Sequence, residues 1–230
     1  MVRDQIINLK IVEKVALALE EINDEVIFIG GAVVSLYDTE KAADLPRPTR
    51  DVDISVQVST YAEMEKLREK LSQKRIYPAV SETVMYRYSY DDILIDFIPY
   101  EDTPLGPTNR WLKPGFKRAY DVVVGNAKIK ILPVSLFLST KWEAFKSRGN
   151  DPRTSPDFED IIYVIDNNAN IIVDIKNADE DVRNFMQDMS REILSHPSLY
   201  EIIECHLEDF AAMERREQII NKLRQIIELD

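Results

Sequence analysis

The stretch FIGGAVVSLYDTEKAADLPRPTRDVDISV, residues 28–56, decides how the rest of the chain reads. A β-branched run at 25–30 ends in Gly30-Gly31, and the apolar residues at 32–37 predict a helix that begins directly at the glycines. A loop at 44–50 then delivers Asp51 and Asp53 at the start of an alternating strand, 51–58. Side chains at i and i+2 of a strand share a face about 6 to 7 Å apart, so the two carboxylates point one way with Val52 in the opposite layer. Two ionised carboxylates that close repel one another unless a cation sits between them. The glycines complement this demand. A helix N-terminus presents free N–H groups and partial positive charge to an anion, and residues without side chains leave room for a triphosphate to approach.

A third acid, Asp96, lies between Ile95 and Phe97 in an otherwise apolar strand. If that strand lies beside 51–58, the three acids converge into an oxygen cage for one or two divalent ions. Such ions bridge phosphate oxygens and neutralise the charge that develops in phosphoryl transfer. The plainer alternatives are a solvated face of an edge strand for the acids and an ordinary strand-to-helix turn for the glycines.

Outward from this core, residues 4–22 read as an amphipathic helix. Ser59 or Thr60 caps a helix that carries Glu63 in its first turn and ends near Lys74. Residues 83–90 and 93–100 form a hairpin turning at Asp91-Asp92, a proline-rich connection spans 99–114, and a second hairpin at 120–132 turns at Gly125-Asn126. Beyond Pro133 the pattern is helical, at 135–148, 156–167, 178–195 and 197–229. The fold class is therefore α+β, with a domain of mixed strands and helices at 1–132 and a helical C-terminal domain at 133–230.

Composition narrows the function. The 230 residues carry a net charge of −12, against a broad nucleic-acid-wrapping surface. One cysteine, Cys205, and two histidines, His196 and His206, provide no disulfide framework and no zinc cluster, so any metal is expected on oxygen ligands, as Mg2+ or Mn2+. No apolar run spans a bilayer and the N-terminus lacks a signal-peptide core, so the expected compartment is the cytoplasm, with no membrane partner.

The pair Gly30-Gly31, the Asp51-Val52-Asp53 strand and the later Asp96 together resemble the nucleotidyltransferase superfamily that includes DNA polymerase beta. Two further stretches are similar to the AbiEii/AbiGii-type toxins, a bacterial nucleotidyltransferase family. One is the approach Arg47, Thr49, Asp51, Asp53; the other is Lys141, Ala144 and Arg148 followed by Asp157 and Asp160. The resemblance covers residues 25–166. The gap from Gly31 to Asp51 is wider than in the superfamily, marking 38–50 as an insertion, and Pro156 stands where the toxin family more often carries a basic residue.

The resemblance implies a polymerase-beta-like nucleotidyltransferase core that moves a nucleotide from an NTP to a hydroxyl acceptor with Mg2+ or Mn2+. Asp51, Asp53 and Asp96 would hold the metal, Asp96 also helping to deprotonate the acceptor. Gly30, Gly31, Arg47 and Lys141 would bind the nucleotide, with Arg148, Asp157 and Asp160 in support; a surface ion-pair network explains those last three equally well. The implied role is that of a toxin-like enzyme acting on RNA or protein, with an antitoxin or a second copy on the C-terminal helices. The rivals are a small-molecule enzyme of the aminoglycoside-modifying type, whose cationic substrate suits an acidic protein, and a catalytically silent binding module. The segment 110–118, with Arg110, Lys113, Lys117 and Arg118 beside Trp111 and Phe116, reads either as a place where RNA stacks or as a turn with two buried aromatics.

Overall fold

A computed structural model of the chain describes residues 3–39, 45–79, 86–103, 108–207 and 212–230, with side chains described from Asn8 onward. Two compact units emerge, one made of residues 1–33 and 47–132, the other of 34–46 and 133–230. Among the described residues no helix is long and apolar enough to cross a membrane.

The first unit is built on one mixed sheet. Its strands are β1 (Val26–Ile29), β2 (Asp51–Val56), β3 (Tyr77–Pro78), β4 (Arg87–Tyr90), β5 (Ile93–Pro99), β6 (Tyr120–Val124) and β7 (Ala127–Ile131), in the spatial order β3-β4-β5-β2-β1-β7-β6. β2 runs parallel to β5 and antiparallel to β1, and β1 runs parallel to β7. Strict alternation in β5 separates two faces. On one, Ile131, Phe28, Ile54 and Phe97 form a row across four strands, and Val52, Ile95 and Tyr88 form the next; all seven are buried. Tyr88 meets Phe97 edge to face at 5.2 Å, the arrangement that ring quadrupoles favour. Helix α1 (Arg3–Leu19) lies against β2, β6 and β7 and buries Val12, Val15, Ala16 and Leu19 at helical spacing.

Local chemistry explains several boundaries. Helix α2 (Tyr61–Gln73) starts in a capping box: the Glu63 amide donates to the Thr60 hydroxyl while the Glu63 carboxylate accepts from the Thr60 amide. The hairpin β4–β5 turns at Asp91-Asp92 as its sequence predicts, although residues 83–85 lie outside the described residues. Part of 99–114, expected to be a connection, instead enters helix α3 (Leu112–Arg118). Pro114 falls in the first turn, where a missing N–H costs no intrahelical bond. Gly115 lets this turn settle on Leu132, since an added Cβ would meet Leu132 Cδ2 at 2.4 Å. The segment Gly31–Tyr37 is helical as expected but adopts the tighter 3₁₀ form, as does Glu20–Glu25 at the end of α1.

The second unit is helical: α4 (Val134–Arg148), α5 (Pro156–Asn167), α6 (Ile171–Lys176), α7 (Glu180–Leu194), α8 (Leu199–Glu204) and α9 (Ala212–Ile227). α4 packs on α5, α6 and α7, and α9 on α5, α6, α7 and α8. Pro156 occupies the first turn of α5, where its fixed φ is an asset, behind a Ser155 cap that accepts from the Phe158 amide. The single helix expected over 197–229 is two helices. The chain leaves α8 where His206 Nε2 meets the Pro152 carbonyl at 2.8 Å, a tertiary bond with no local sequence signature.

The stretch from Val34 belongs with these helices through direct bonds. The Thr39 amide donates to the Asn167 carbonyl, Asn168 Nδ2 donates to the Tyr37 carbonyl, and the Tyr37 ring lies 4.4 Å from that of Phe137. Tyr163 donates its hydroxyl proton to Asp38 Oδ2 at 2.7 Å. Burial nevertheless pushes the Asp38 carboxyl from 3.8 up to about 6, with the Tyr163 bond opposing the rise. A carboxyl raised in the folded state binds its proton more tightly there than in the unfolded chain. Stability therefore falls as pH rises from about 4 through about 6, and is level above that. Urea unfolding of the wild type against Asp38→Asn should show this slope in the difference between the two proteins; parallel pH profiles would remove Asp38 as its source.

Candidate active site

The sheet face opposite the apolar rows carries the acids. Parallel pairing of β2 with β5 sets Asp53 directly beside Asp96, and antiparallel pairing of β5 with β4 sets Asp96 beside Arg87, so Asp53, Asp96 and Arg87 form one row across three strands. Neighbouring strands are about 4.8 Å apart, so the three side chains stand within reach of one another. Asp51 lies one pleat further along β2 on the same face.

Arg87 is the residue that sequence reasoning overlooked. Its guanidinium donates from Nε to Asp96 Oδ1 and from Nη2 to Asp96 Oδ2, both at 2.8 Å, a bidentate fork. The same Nη2 lies 3.6 Å from Asp51 Oδ2. The Arg87 and Asp96 side chains are only 20% and 14% exposed, so this pair is held largely away from water. The hairpin already contained the signal. A two-residue turn at Asp91-Asp92 pairs Tyr90 with Ile93, and counting outward brings Arg87 opposite Asp96.

On the other side of Asp53 stands Gly30, the residue after β1, with φ +74°. A Cβ built there would meet Asp53 Oδ2 at 1.9 Å. Glycine is therefore required twice over, for its backbone conformation and for the space taken by the Asp53 carboxylate. Gly31 is buried at the start of the 3₁₀ segment. Arg47 sits in the loop before β2, and that loop is pinned by the fully buried Asn8 of α1: Asn8 Nδ2 donates to the Arg47 carbonyl and Asn8 Oδ1 accepts from the Thr49 amide. The Thr49 hydroxyl donates to the Asp51 carbonyl, extending the support into β2.

Among the described residues, no three His, Cys, Asp or Glu side chains group so as to hold a metal ion. The donor chemistry is narrower than a closed three-acid cage. Asp51 and Asp53 share a face beside the Gly30 cradle, while both oxygens of Asp96 are engaged by Arg87. Mg2+ is commonly held by one or two carboxylates, with water and phosphate completing its octahedron, and the Asp51–Asp53 pair fits that requirement.

The other expected site residues lie in the helical unit and bind one another. Lys141 is buried, its Nζ 2.6 Å from Asp160 Oδ2 and 3.5 Å from Asp157 Oδ1, and Arg148 donates to Asp157 Oδ2. Two cations face two buried carboxylates, so the group is neutral as a whole. Any phosphate that engages Lys141 must compete with both acids. In segment 110–118, Trp111 is buried, Phe116 packs edge to face on Tyr100 at 5.5 Å, and Lys113 pairs with Glu101. Trp111 is withdrawn from solvent and Phe116 is half-buried, whereas Arg110, Lys113, Lys117 and Arg118 are exposed.

No family model matches the chain, and no curated protein matches it. Among solved structures it aligns with an antigenic nucleotidyltransferase-like protein from Paracoccidioides brasiliensis at 16% identity and TM-score 0.49, over 90% of this chain and 97% of that one. It aligns with the antibiotic-resistance factor ANT(2'')-Ia at 11% identity and TM-score 0.47, over 81% and 93% of the two chains. JHP933 from Helicobacter pylori aligns at 12% identity and TM-score 0.46, over 94% and 90%.

Two substitutions test this geometry. Gly30→Ala should cost about 1–3 kcal/mol in chemical unfolding and displace the Asp53 carboxylate, because it combines a strained φ with a direct clash; unchanged stability would dissolve the Gly30–Asp53 argument. Lys141→Met should destabilise by about 3–5 kcal/mol, since it strands buried carboxylates. Arg148→Gln should cost less, its side chain being 59% exposed. Equal losses would show that the network does not depend on burial.

Proposed function

We propose that this protein is a nucleotidyltransferase that moves a nucleotide from an NTP to a hydroxyl acceptor with Mg2+ or Mn2+. The observation that carries the reading is the Asp51–Asp53 pair on one strand face, with the Gly30 backbone cradling Asp53 and Asp96 in register on the neighbouring strand. Asp51 and Asp53 hold the ion, and the glycine turn offers backbone room to the triphosphate. A divalent ion bound there neutralises charge on the phosphates as it develops. The β-sheet holds both carboxylates at fixed spacing before substrate arrives, which lowers the reorganisation required during reaction. The Asn8-pinned loop brings Arg47 toward the same end of β2, where its permanent charge attracts a polyphosphate.

For the acceptor, the first reading is RNA or protein, in the manner of a toxin of the AbiEii type, with a partner protein on the C-terminal helices. The −12 net charge favours a second reading, a small cationic acceptor such as an aminoglycoside. Incubation with labelled NTPs, Mg2+ and either total RNA or an aminoglycoside panel separates them by which acceptor takes the label.

Asp51→Asn and Asp53→Asn should each abolish divalent-dependent transfer while the fold persists, because each removes a charged ligand from a shared ion. Full activity in either variant would refute the assignment. Among the exposed basic side chains of 110–118, Lys117→Gln with Arg118→Gln should lower RNA labelling and flatten its salt dependence by about one slope unit per lost phosphate contact. The same pair should leave NTP binding unchanged. An acceptor that is a small cation would instead be labelled as well or better.

A further inference from the structure

We infer that Arg87 is a built-in cation of the carboxylate cluster, so that the site takes a single divalent ion, on Asp51 and Asp53. The inference rests on the metal reading above and deepens it.

The geometry points this way from three sides. The guanidinium engages both oxygens of Asp96 at 2.8 Å and extends to 3.6 Å from Asp51 Oδ2, so it already places a positive charge within ion-pair distance of both acids. Arginine remains protonated at every accessible pH, so this charge is permanent. The register is imposed by the sheet: β4 pairs with β5 over Arg87 to Tyr90, and Tyr88, the neighbour of Arg87, is anchored in the core against Phe97. To expose Asp96 to a metal, the protein would have to break a bidentate, mostly buried ion pair. By contrast, Asp53 lies at the far end of the row, beside Gly30, and the Asp51 side chain is 39% exposed against 14% for Asp96. Arg87 is thus a positioning residue. It keeps Asp96 aligned beside the metal-holding pair, and supplies the charge that would otherwise require a second ion.

Calorimetric titration with Mn2+ alone, without nucleotide, tests this on the full chain. Wild type should bind about one ion per chain and Arg87→Gln about two, since one or two carboxylates suffice for each site once the guanidinium charge is gone. Arg87→Lys, which restores the charge, should return the stoichiometry to that of wild type. In the double variant Arg87→Gln with Asp96→Asn the second ion should be lost again. An Arg87→Gln isotherm that superimposes on wild type overturns the inference, as does binding of two ions with Arg87 in place. Should Arg87→Gln fail to fold by circular dichroism, the wild-type stoichiometry decides: one ion supports the inference, while none or two overturns it. Nucleotide transfer is measured separately. The expected Mn2+ pattern without any labelled product removes the transferase reading and leaves Arg87 in its role; labelled product with identical isotherms does the reverse.

Discussion

Negative charge brought together on neighbouring strands must be balanced, and the first unit is organised around that requirement. The parallel register of β2 on β5 leaves Asp53 and Asp96 side by side, with Asp51 one pleat away. Carboxylates this close repel, and the sheet leaves them little freedom to separate. Arg87 answers on one side through its fork to Asp96, and Gly30 answers on the other by giving the Asp53 carboxylate room beside β1. The apolar rows beneath, Ile131–Phe28–Ile54–Phe97 and Val52–Ile95–Tyr88, hold the strands in the register on which this balance depends.

The helical unit solves the same problem differently. Asp157 and Asp160, one helical turn apart on α5, are both buried, and α4 meets them with Lys141 at the interior and Arg148 at the rim. Buried pairs of this kind contribute little net stability relative to apolar packing, but they are costly to break, which makes them effective at specifying one packing arrangement. α4 also contributes Trp142, Phe145 and, across to α5, Phe158, whose rings follow one another at 5.2 and 5.3 Å. The charge network therefore sits beside an aromatic seam that fixes how the two helices meet.

Much of the fold was legible because its signals are local. The Thr60–Glu63 capping box, the turns at Asp91-Asp92 and Gly125-Asn126, and the change to helical periodicity after Pro133 depend on residues a few positions apart. The departures share one cause, which is distance along the chain. Helix α3 forms through a proline and a glycine because Leu132 closes over Gly115. α8 ends where His206 finds the Pro152 carbonyl, and residues 37–39 join the helical unit through bonds to Asn167, Asn168 and Tyr163. In the candidate site, Asp51 and Asp53 declared themselves by i, i+2 spacing, and the Arg87–Asp96 pairing follows from the Asp91-Asp92 turn, but its place beside Asp51 and Asp53 needs the long-range pairing of β2 with β5.

The sequence by itself determined the class of elements, the α+β composition and the fact that Asp51 and Asp53 share one face, because strand periodicity and helix capping are encoded within a few residues. Only the tertiary structure decided that the Arg87–Asp96 pair stands beside Asp51 and Asp53. That answer required β4, β5 and β2 to lie side by side in one register, and strand order is set by which apolar faces bury best together rather than by any residue pattern along the chain.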